Sequence, residues 1–194
     1  MNYSIVGSGN VGTALARQFV RSNVDVAIAN SRGASSLAPL VAELKGKIRA
    51  VNLSEALEAD MVILSVPFPA FPNVARTKTN WGGQIIIDTM NRPEKVSGPM
   101  STEVVAGEFP GAKVVKAFNQ LPAALLAIDP SQAGGRRVMF VSSNAADASA
   151  TVAKLARQLG FAPIELGRLD EGGRLLDFHR PLVLHNLIEL EFEG

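Results

Sequence analysis

The sequence predicts an α/β protein built as a single doubly wound parallel sheet with helices on both faces. Three observations carry this. Short apolar segments alternate with helical patterns along almost the whole chain, the arrangement that buries a parallel sheet between helix layers. Met61 to Val66 is a continuous apolar run rather than an alternating one, as a strand covered on both faces requires. The opening strand runs straight into Gly7-Ser8-Gly9-Asn10-Val11-Gly12, a G-x-G-x-x-G turn, and then into the helical pattern of Thr13 to Val20.

Taken in order, residues 3–7 read as the first strand and 10–22 as the first helix. Asp25 to Asn30 is the second strand, followed by Ser31-Arg32-Gly33 and a helix around Leu37 to Leu44 with Pro39 in its first turn. Ile48 to Val51 is a short third strand, and Ser54 is placed to cap a brief helix through Glu58. After the fourth strand, Met61 to Val66, the residues Pro67, Pro69 and Pro72 interrupt regular structure. Gln84 to Thr89 is the fifth strand, and a long polar loop over 90–99 leads to a helix capped by Ser101. Lys113 to Phe118 is the sixth strand, Pro122 opens a helical stretch through Leu126, and Arg136 to Val141 is the seventh strand. Residues 145–159 are a clear helix, and Ala162 to Leu166 is a last strand that Pro163 assigns to a sheet edge. Beyond Gly172-Gly173 a helical pattern runs from Pro181 to Leu190, so 169–194 is expected to be a helical tail.

Composition narrows the class. The 194 residues suit one domain, residues 1–194, with no large second domain to close over a substrate. At 47% hydrophobic and 19% charged the chain can bury a sizeable core. A net charge of +1 gives no reason to expect a nucleic-acid partner. With no cysteine, thiolate catalysis, disulfides and cysteine-held metals are excluded. No apolar run reaches the roughly 18 residues of a membrane span, and Met1-Asn2-Tyr3 lacks a basic leader, so a cytoplasmic protein without membrane partners is expected.

The glycine turn points to a dinucleotide. Gly7 permits the tight turn, Gly9 lets the backbone approach a pyrophosphate, and Gly12 lets the helix pack against the strand. Free N–H groups at the helix start then face the phosphates. NAD-binding versions of this fold place Asp or Glu at the end of the second strand, for the ribose 2′-hydroxyl. Here Asn30 stands in that place, followed by Ser31 and Arg32. An amide, a hydroxyl and a guanidinium suit a 2′-phosphate, which a carboxylate would repel. The cofactor expected is therefore NADP(H).

With these residues in hand, the chain resembles the NADP-dependent oxidoreductases related to coenzyme F420-dependent NADP reductase, a family sharing its nucleotide domain with the reductase domain of the STEAP metalloreductases. The resemblance lies in Ile5 to Gly12, Ala29 to Gly33, Ser65-Val66-Pro67-Phe68, Asp88 to Asn91 and Val115 to Pro122. It implies a Rossmann fold and hydride exchange between NADPH and a small-molecule redox acceptor, a flavin (FMN or FAD) or the deazaflavin coenzyme F420. It further implies that Ser8, Gly9, Asn10 and Val11 cradle the pyrophosphate and that Ser31 and Arg32 hold the 2′-phosphate. Ser65, Val66, Pro67 and Phe68 would lie along ribose and nicotinamide, and Asn91, Ala117, Phe118 and Asn119 would border the nicotinamide and the acceptor. It also implies a homodimer, for which the apolar residues Leu182, Leu184, Leu187 and Ile188 are available.

Cofactors carry hydride chemistry while the protein positions them, so no general acid or base is assigned. Two other readings stand beside this one. A carbonyl or imine reductase would ordinarily add a helical domain, although Lys116 and Asn119 have the Lys-x-x-Asn spacing of some hydroxy-acid dehydrogenases. A non-catalytic NADP-sensing module would bind without turnover. His179 and His185, six apart, lack metal-ligand spacing, and Arg136-Arg137 read as solvated charges.

Overall fold

The structure, a computed structural model, describes residues 1–93 and 98–190. In chain order the elements are β1 (Tyr3–Val6), α1 (Asn10–Arg21), β2 (Val26–Ala29), α2 (Ala38–Leu44), β3 (Ile48–Ala50), α3 (Leu53–Ala56), β4 (Met61–Leu64), α4 (Phe71–Ala75), β5 (Ile85–Asp88), α5 (Ser101–Glu108), β6 (Lys113–Ala117), α6 (Ala123–Ala127), β7 (Ser131–Gln132), β8 (Gly135–Ser143), α7 (Ala146–Gln158), β9 (Ala162–Glu165) and β10 (Ile188–Leu190). Short 3-10 turns sit at Ala34–Leu37, Phe68–Ala70 and Gly172–Leu176. Of the loop expected over 90–99, residues 94–97 lie outside the described residues, as do 191–194 of the tail.

The strands run in the order β3-β2-β1-β4-β5-β6-β8-β10, and every pairing from β3 to β6 is parallel. Alternate residues of each strand enter opposite helix layers, which is why strands such as β4 are apolar on both faces. Ile5, Ile28, Ile63, Ile87 and Val115 face one core with Leu15, Phe19 and Leu155. Val6, Ala29, Leu64, Ile86 and Val114 face the other with Phe71, Trp81, Val105 and Phe109. Gln18 of α1 is buried in the first layer, and its amide donates to the Leu126 carbonyl at 2.6 Å and to that of Ile128, tying α1 to α6.

The parallel expectation ends at β6. β8 pairs antiparallel with β6, Val115 against Ser143, and parallel with β9. The expected helical tail is also corrected. Residues 169–190 form the 3-10 turn, a loop and β10, which pairs antiparallel with β8, Ile188 against Arg137. The apolar spacing that mimics a helix serves docking instead: Val183 and Leu176 are buried while Leu184 and Leu190 are exposed. Arg137, expected in solvent, is fully buried. Its Nε donates to Asn186 Oδ1 at 2.7 Å and its Nη1 to the carbonyls of Leu125 and Asp129, while Nη2 meets Gln132. Burial pulls its pKa down, with nearby Asp129 opposing. Helix caps differ too: Asn52, not Ser54, caps α3 by accepting from the Glu55 amide at 2.8 Å, and Met100 precedes α5, where Glu103 accepts its amide at 2.8 Å.

Candidate functional site

Register brings the loops together. Val6 lies opposite Ala29 and Leu64, Leu64 opposite Asp88, and Asp88 opposite Lys116. The segments after β1, β2, β4, β5 and β6 therefore leave along one edge of the sheet. The strand order reverses at β1, between β2 and β4, and open α/β sheets bind ligands in the crevice at that point.

The glycines divide the work at this edge. Gly7 has φ +113°, and a Cβ there would meet the Ser65 carbonyl oxygen at 2.0 Å. A Cβ on Gly12 would meet the Gly7 carbonyl oxygen at 2.0 Å and Ile5 Cγ2 at 3.3 Å. Both glycines are needed to bring α1 and the end of β4 against the turn. Gly9 is different: with φ −75° and ψ −170° it has ordinary extended backbone, and a Cβ there would meet nothing within 4 Å. Among the described residues, nothing requires glycine at 9. It caps α1 without a side-chain hydrogen bond, and the first N–H groups of a helix have no partner within it.

Asn30 has a role that differs from the expected one. Its Nδ2 donates to Ser8 Oγ at 2.9 Å and to Ser36 Oγ at 3.0 Å, while its Oδ1 accepts from the Arg32 amide at 2.9 Å. With both amide protons engaged, Asn30 braces the glycine turn against the loop after β2. The groups left facing solvent there are Ser31 and Arg32, both exposed.

On the other side of the crevice, Ser65 and Val66 are half-buried, Pro67 is exposed, and Phe68 packs on Phe71 with ring centroids 5.1 Å apart. The Arg92 guanidinium lies over the Phe68 ring at 5.8 Å. Asn91 and Asn119 join the loops after β5 and β6: Asn91 Nδ2 donates to the Asn119 carbonyl at 3.0 Å, and Asn119 Nδ2 to Asn91 Oδ1 at 2.9 Å. Asn119 Nδ2 also donates to the Leu176 carbonyl at 2.7 Å, yet Asn119 Oδ1 is buried with no partner. A buried acceptor with no donor among the described residues is rare. Phe118 corrects the expectation. With φ +60° its ring turns away into the core and meets Phe161 edge-on at 6.1 Å, so Ala117 and Phe118, both fully buried, offer the edge only backbone.

Under this edge lies a buried ion pair. Lys116 Nζ is 3.2 Å from Asp88 Oδ2, and both side chains are inaccessible. Lys116 also donates to the Met90 carbonyl, while Asp88 accepts from Thr102 Oγ1 at 2.7 Å and from the Met90 amide at 2.9 Å. The bonds from Lys116 and Asp88 to the Met90 backbone hold the turn after β5, and Thr102 ties the pair to α5. Lys116 is thus turned inward, and the Lys-x-x-Asn spacing does not assemble a proton donor with Asn119.

The tail, which the sequence reads as a separate helix, is bonded to the loops at this edge. Besides the Leu176 carbonyl, Asp177 accepts from Ser101 Oγ at 2.6 Å, His179 Nε2 lies 3.1 Å from the Pro93 carbonyl, and the Leu184 amide donates to Gln120 O at 2.7 Å. The signal was Gly172-Gly173: a Cβ on Gly172 would meet the Leu166 carbonyl oxygen at 2.2 Å, and one on Gly173 would meet Ser142 Oγ at 2.5 Å. His185, the second histidine, lies with Nδ1 3.2 Å from the Val183 carbonyl. A groove of about 660 Å³ runs along the opposite edge, past Tyr3, Asp25 and Lys47, away from all these residues.

The order of β1 to β6 and the glycine turn at the switch point define a Rossmann-type dinucleotide-binding fold. The open space at Gly9 fits a nucleotide laid across the crevice. Residues 2–92 match the family described as NADP oxidoreductase, coenzyme F420-dependent. It is 28% identical over 170 residues to metalloreductase STEAP3 of Rattus norvegicus, covering 85% of this chain and 33% of that protein. The chain spans about a third of the length of the curated relatives it matches. Among solved structures, a hypothetical protein of Sinorhizobium meliloti is 44% identical with a TM-score of 0.94, covering 97% of this chain and 96% of that one. A reductive aminase of Aspergillus terreus, solved in complex with NADPH and ethyl levulinate, is similar in fold, with 20% identity and a TM-score of 0.66 over 86% of this chain and 55% of that one. Among the described residues, no helix is long and apolar enough to cross a membrane.

Proposed function

We propose that this chain is an NADPH-dependent oxidoreductase that passes hydride between NADP(H) and a flavin or deazaflavin acceptor. When bound, the dihydronicotinamide supplies the hydride. The chain's part is to bind and orient. The backbone of Ser8 to Val11 at the start of α1 receives the pyrophosphate, Gly9 leaving it room. Ser31 and Arg32 receive the 2′-phosphate, held in place by the Asn30 brace. Val66, Pro67 and Phe68 line one side of the nicotinamide site, and Asn91 and Asn119 the other. No proton carrier is required of the chain, consistent with the inward-facing Lys116–Asp88 pair.

The single observation that carries this reading is that the protein's own packing accounts for glycine at 7 and 12 but leaves open space at 9. The family supports the nucleotide, and the resemblance supports the acceptor class. The test is NADPH oxidation followed at 340 nm with FMN, FAD, coenzyme F420 and a quinone offered separately. Turnover with a flavin or the deazaflavin is expected. Saturable NADPH binding with no oxidation by any acceptor would leave a sensing module and refute the enzyme.

A further inference from the structure

A second cavity adjoins the site just described. It has a volume of about 300 Å³ and is lined by Gly98, Pro99, Met100, Glu103, Arg174, Asp177 and Arg180. Its walls are bonded to the candidate nicotinamide residues on both sides. Arg92, over the Phe68 ring, donates from Nη2 to the Pro99 carbonyl at 3.1 Å, and Asn119 donates to Leu176, the neighbour of Asp177. The cavity therefore adjoins the residues assigned to the nicotinamide.

The charges in this cavity are not equivalent. Glu103 is engaged with the Met100 amide at 2.8 Å, and Asp177 with Ser101 Oγ at 2.6 Å and the Ser101 amide at 3.4 Å. Both carboxylates thus serve the amino end of α5, which is partly positive and offsets them. Arg174 and Arg180 are exposed, and among the described residues neither forms an ion pair with these or any other carboxylate. Two guanidinium groups, both exposed and without an ion-pair partner among the described residues, suit a phosphate.

From this we infer that Arg174 and Arg180 form an anion subsite that binds the phosphate on the tail of the redox acceptor, so that the chain selects phosphorylated over unphosphorylated flavins. The inference rests on the acceptor reading above and narrows it. The cavity lies on the tail that carries the Gly172-Gly173 turn, which the fold docks tightly against Leu166 and Ser142. The subsite is thereby held in place rather than left to a loose terminus.

The experiment compares FMN with riboflavin, which differ only in the phosphate. Binding of each is measured by flavin fluorescence quenching in the presence of NADP⁺, and NADPH binding is measured separately. FMN is expected to bind at least tenfold tighter than riboflavin, and inorganic phosphate at tens of millimolar is expected to weaken FMN but not riboflavin. In the Arg174→Gln/Arg180→Gln protein the ratio of the two affinities should fall toward one. An Arg136→Gln protein, which alters an exposed arginine outside the cavity, should keep it. Equal affinities in the unaltered protein, a ratio unmoved by the double change, or binding of neither flavin would each overturn the subsite. If NADPH binds while the flavin ratio is one, the subsite fails and the nucleotide reading stands. If FMN is preferred but NADPH does not bind, the nucleotide reading fails instead.

Discussion

Substituting alanine at Gly9 and at Gly12 separates the two jobs that one glycine motif performs. At Gly12 the new methyl would sit 2.0 Å from the Gly7 carbonyl oxygen. The obstacle is backbone, so no rotamer change relieves it and the start of α1 must move. Overpacking costs about 1–3 kcal/mol, and a clash with backbone belongs at the upper end, about 3 kcal/mol. For a chain of this size each kcal/mol moves the melting temperature by about 2–4 °C, so Gly12→Ala should melt about 6–12 °C lower. At Gly9 the methyl would meet nothing within 4 Å, and the backbone angles suit alanine. Alanine is the poorer N-cap, by up to about 1 kcal/mol, but it restricts the unfolded chain, which returns about 0.4–1 kcal/mol. Gly9→Ala should therefore melt within a few degrees of the unaltered protein. Its methyl instead occupies the space assigned to the pyrophosphate. Losing one charge-assisted hydrogen bond there, about 1.5–3 kcal/mol, weakens NADPH binding by roughly ten- to a hundredfold. Thermal denaturation and calorimetric titration with NADPH, run on both variants, measure the two effects. Unchanged NADPH affinity in Gly9→Ala, or a melting temperature as low as that of Gly12→Ala, would refute the division of labour.

Other outcomes follow from the same geometry. Arg32→Ala should raise the KM for NADPH about ten- to a hundredfold while leaving that for NADH unchanged, since only the 2′-phosphate loses a partner; an equal change for both would remove the assignment. Lys116→Met leaves Asp88 charged and buried without its partner, which should cost about 3–5 kcal/mol in urea denaturation, and adding Asp88→Asn should restore much of it. A loss below about 1 kcal/mol would show that the pair does not hold the Met90 turn. Asn119→Ala leaves the Leu176 carbonyl and Asn91 Oδ1 short of a donor, so a loss of about 1–3 kcal/mol together with weaker NADPH binding is expected. Stability lost without any change in nucleotide affinity would assign Asn119 to tail docking alone. The exposed residues Leu184, Leu187 and Leu190 fit a homodimer, which light scattering tests: a monomer at working concentrations contradicts it.

The parallel half of this fold was legible because each strand from β1 to β6 carries its own signal. Ile5 and Val6, or Ile86 and Ile87, are apolar on both faces because each neighbour enters a different helix layer. The tail was not legible for a matching reason. Leu182, Leu184, Leu187 and Ile188 repeat as a helix would, but a turn followed by the short strand β10 produces the same spacing, and periodicity alone cannot separate the two. The antiparallel turn of β8 depends on long-range pairing with β6 and β10, which local sequence does not encode. Within the site, the glycine motif located the phosphate edge, while the part played by Asn30 depended on Ser8 and Ser36 reaching it, contacts set by the packed loops. Arg137 was misread because an arginine in a strand looks solvated until its carbonyl partners at Leu125 and Asp129 are in place.

The proposed site lays a phosphorylated dinucleotide across the ends of β1 and β2. Calorimetric titration of the unaltered protein with NADPH and, in parallel, with NADH measures it directly. One saturable NADPH site per chain is predicted, at least tenfold tighter than any NADH site. No saturable heat with NADPH, or tighter binding of NADH, would contradict it.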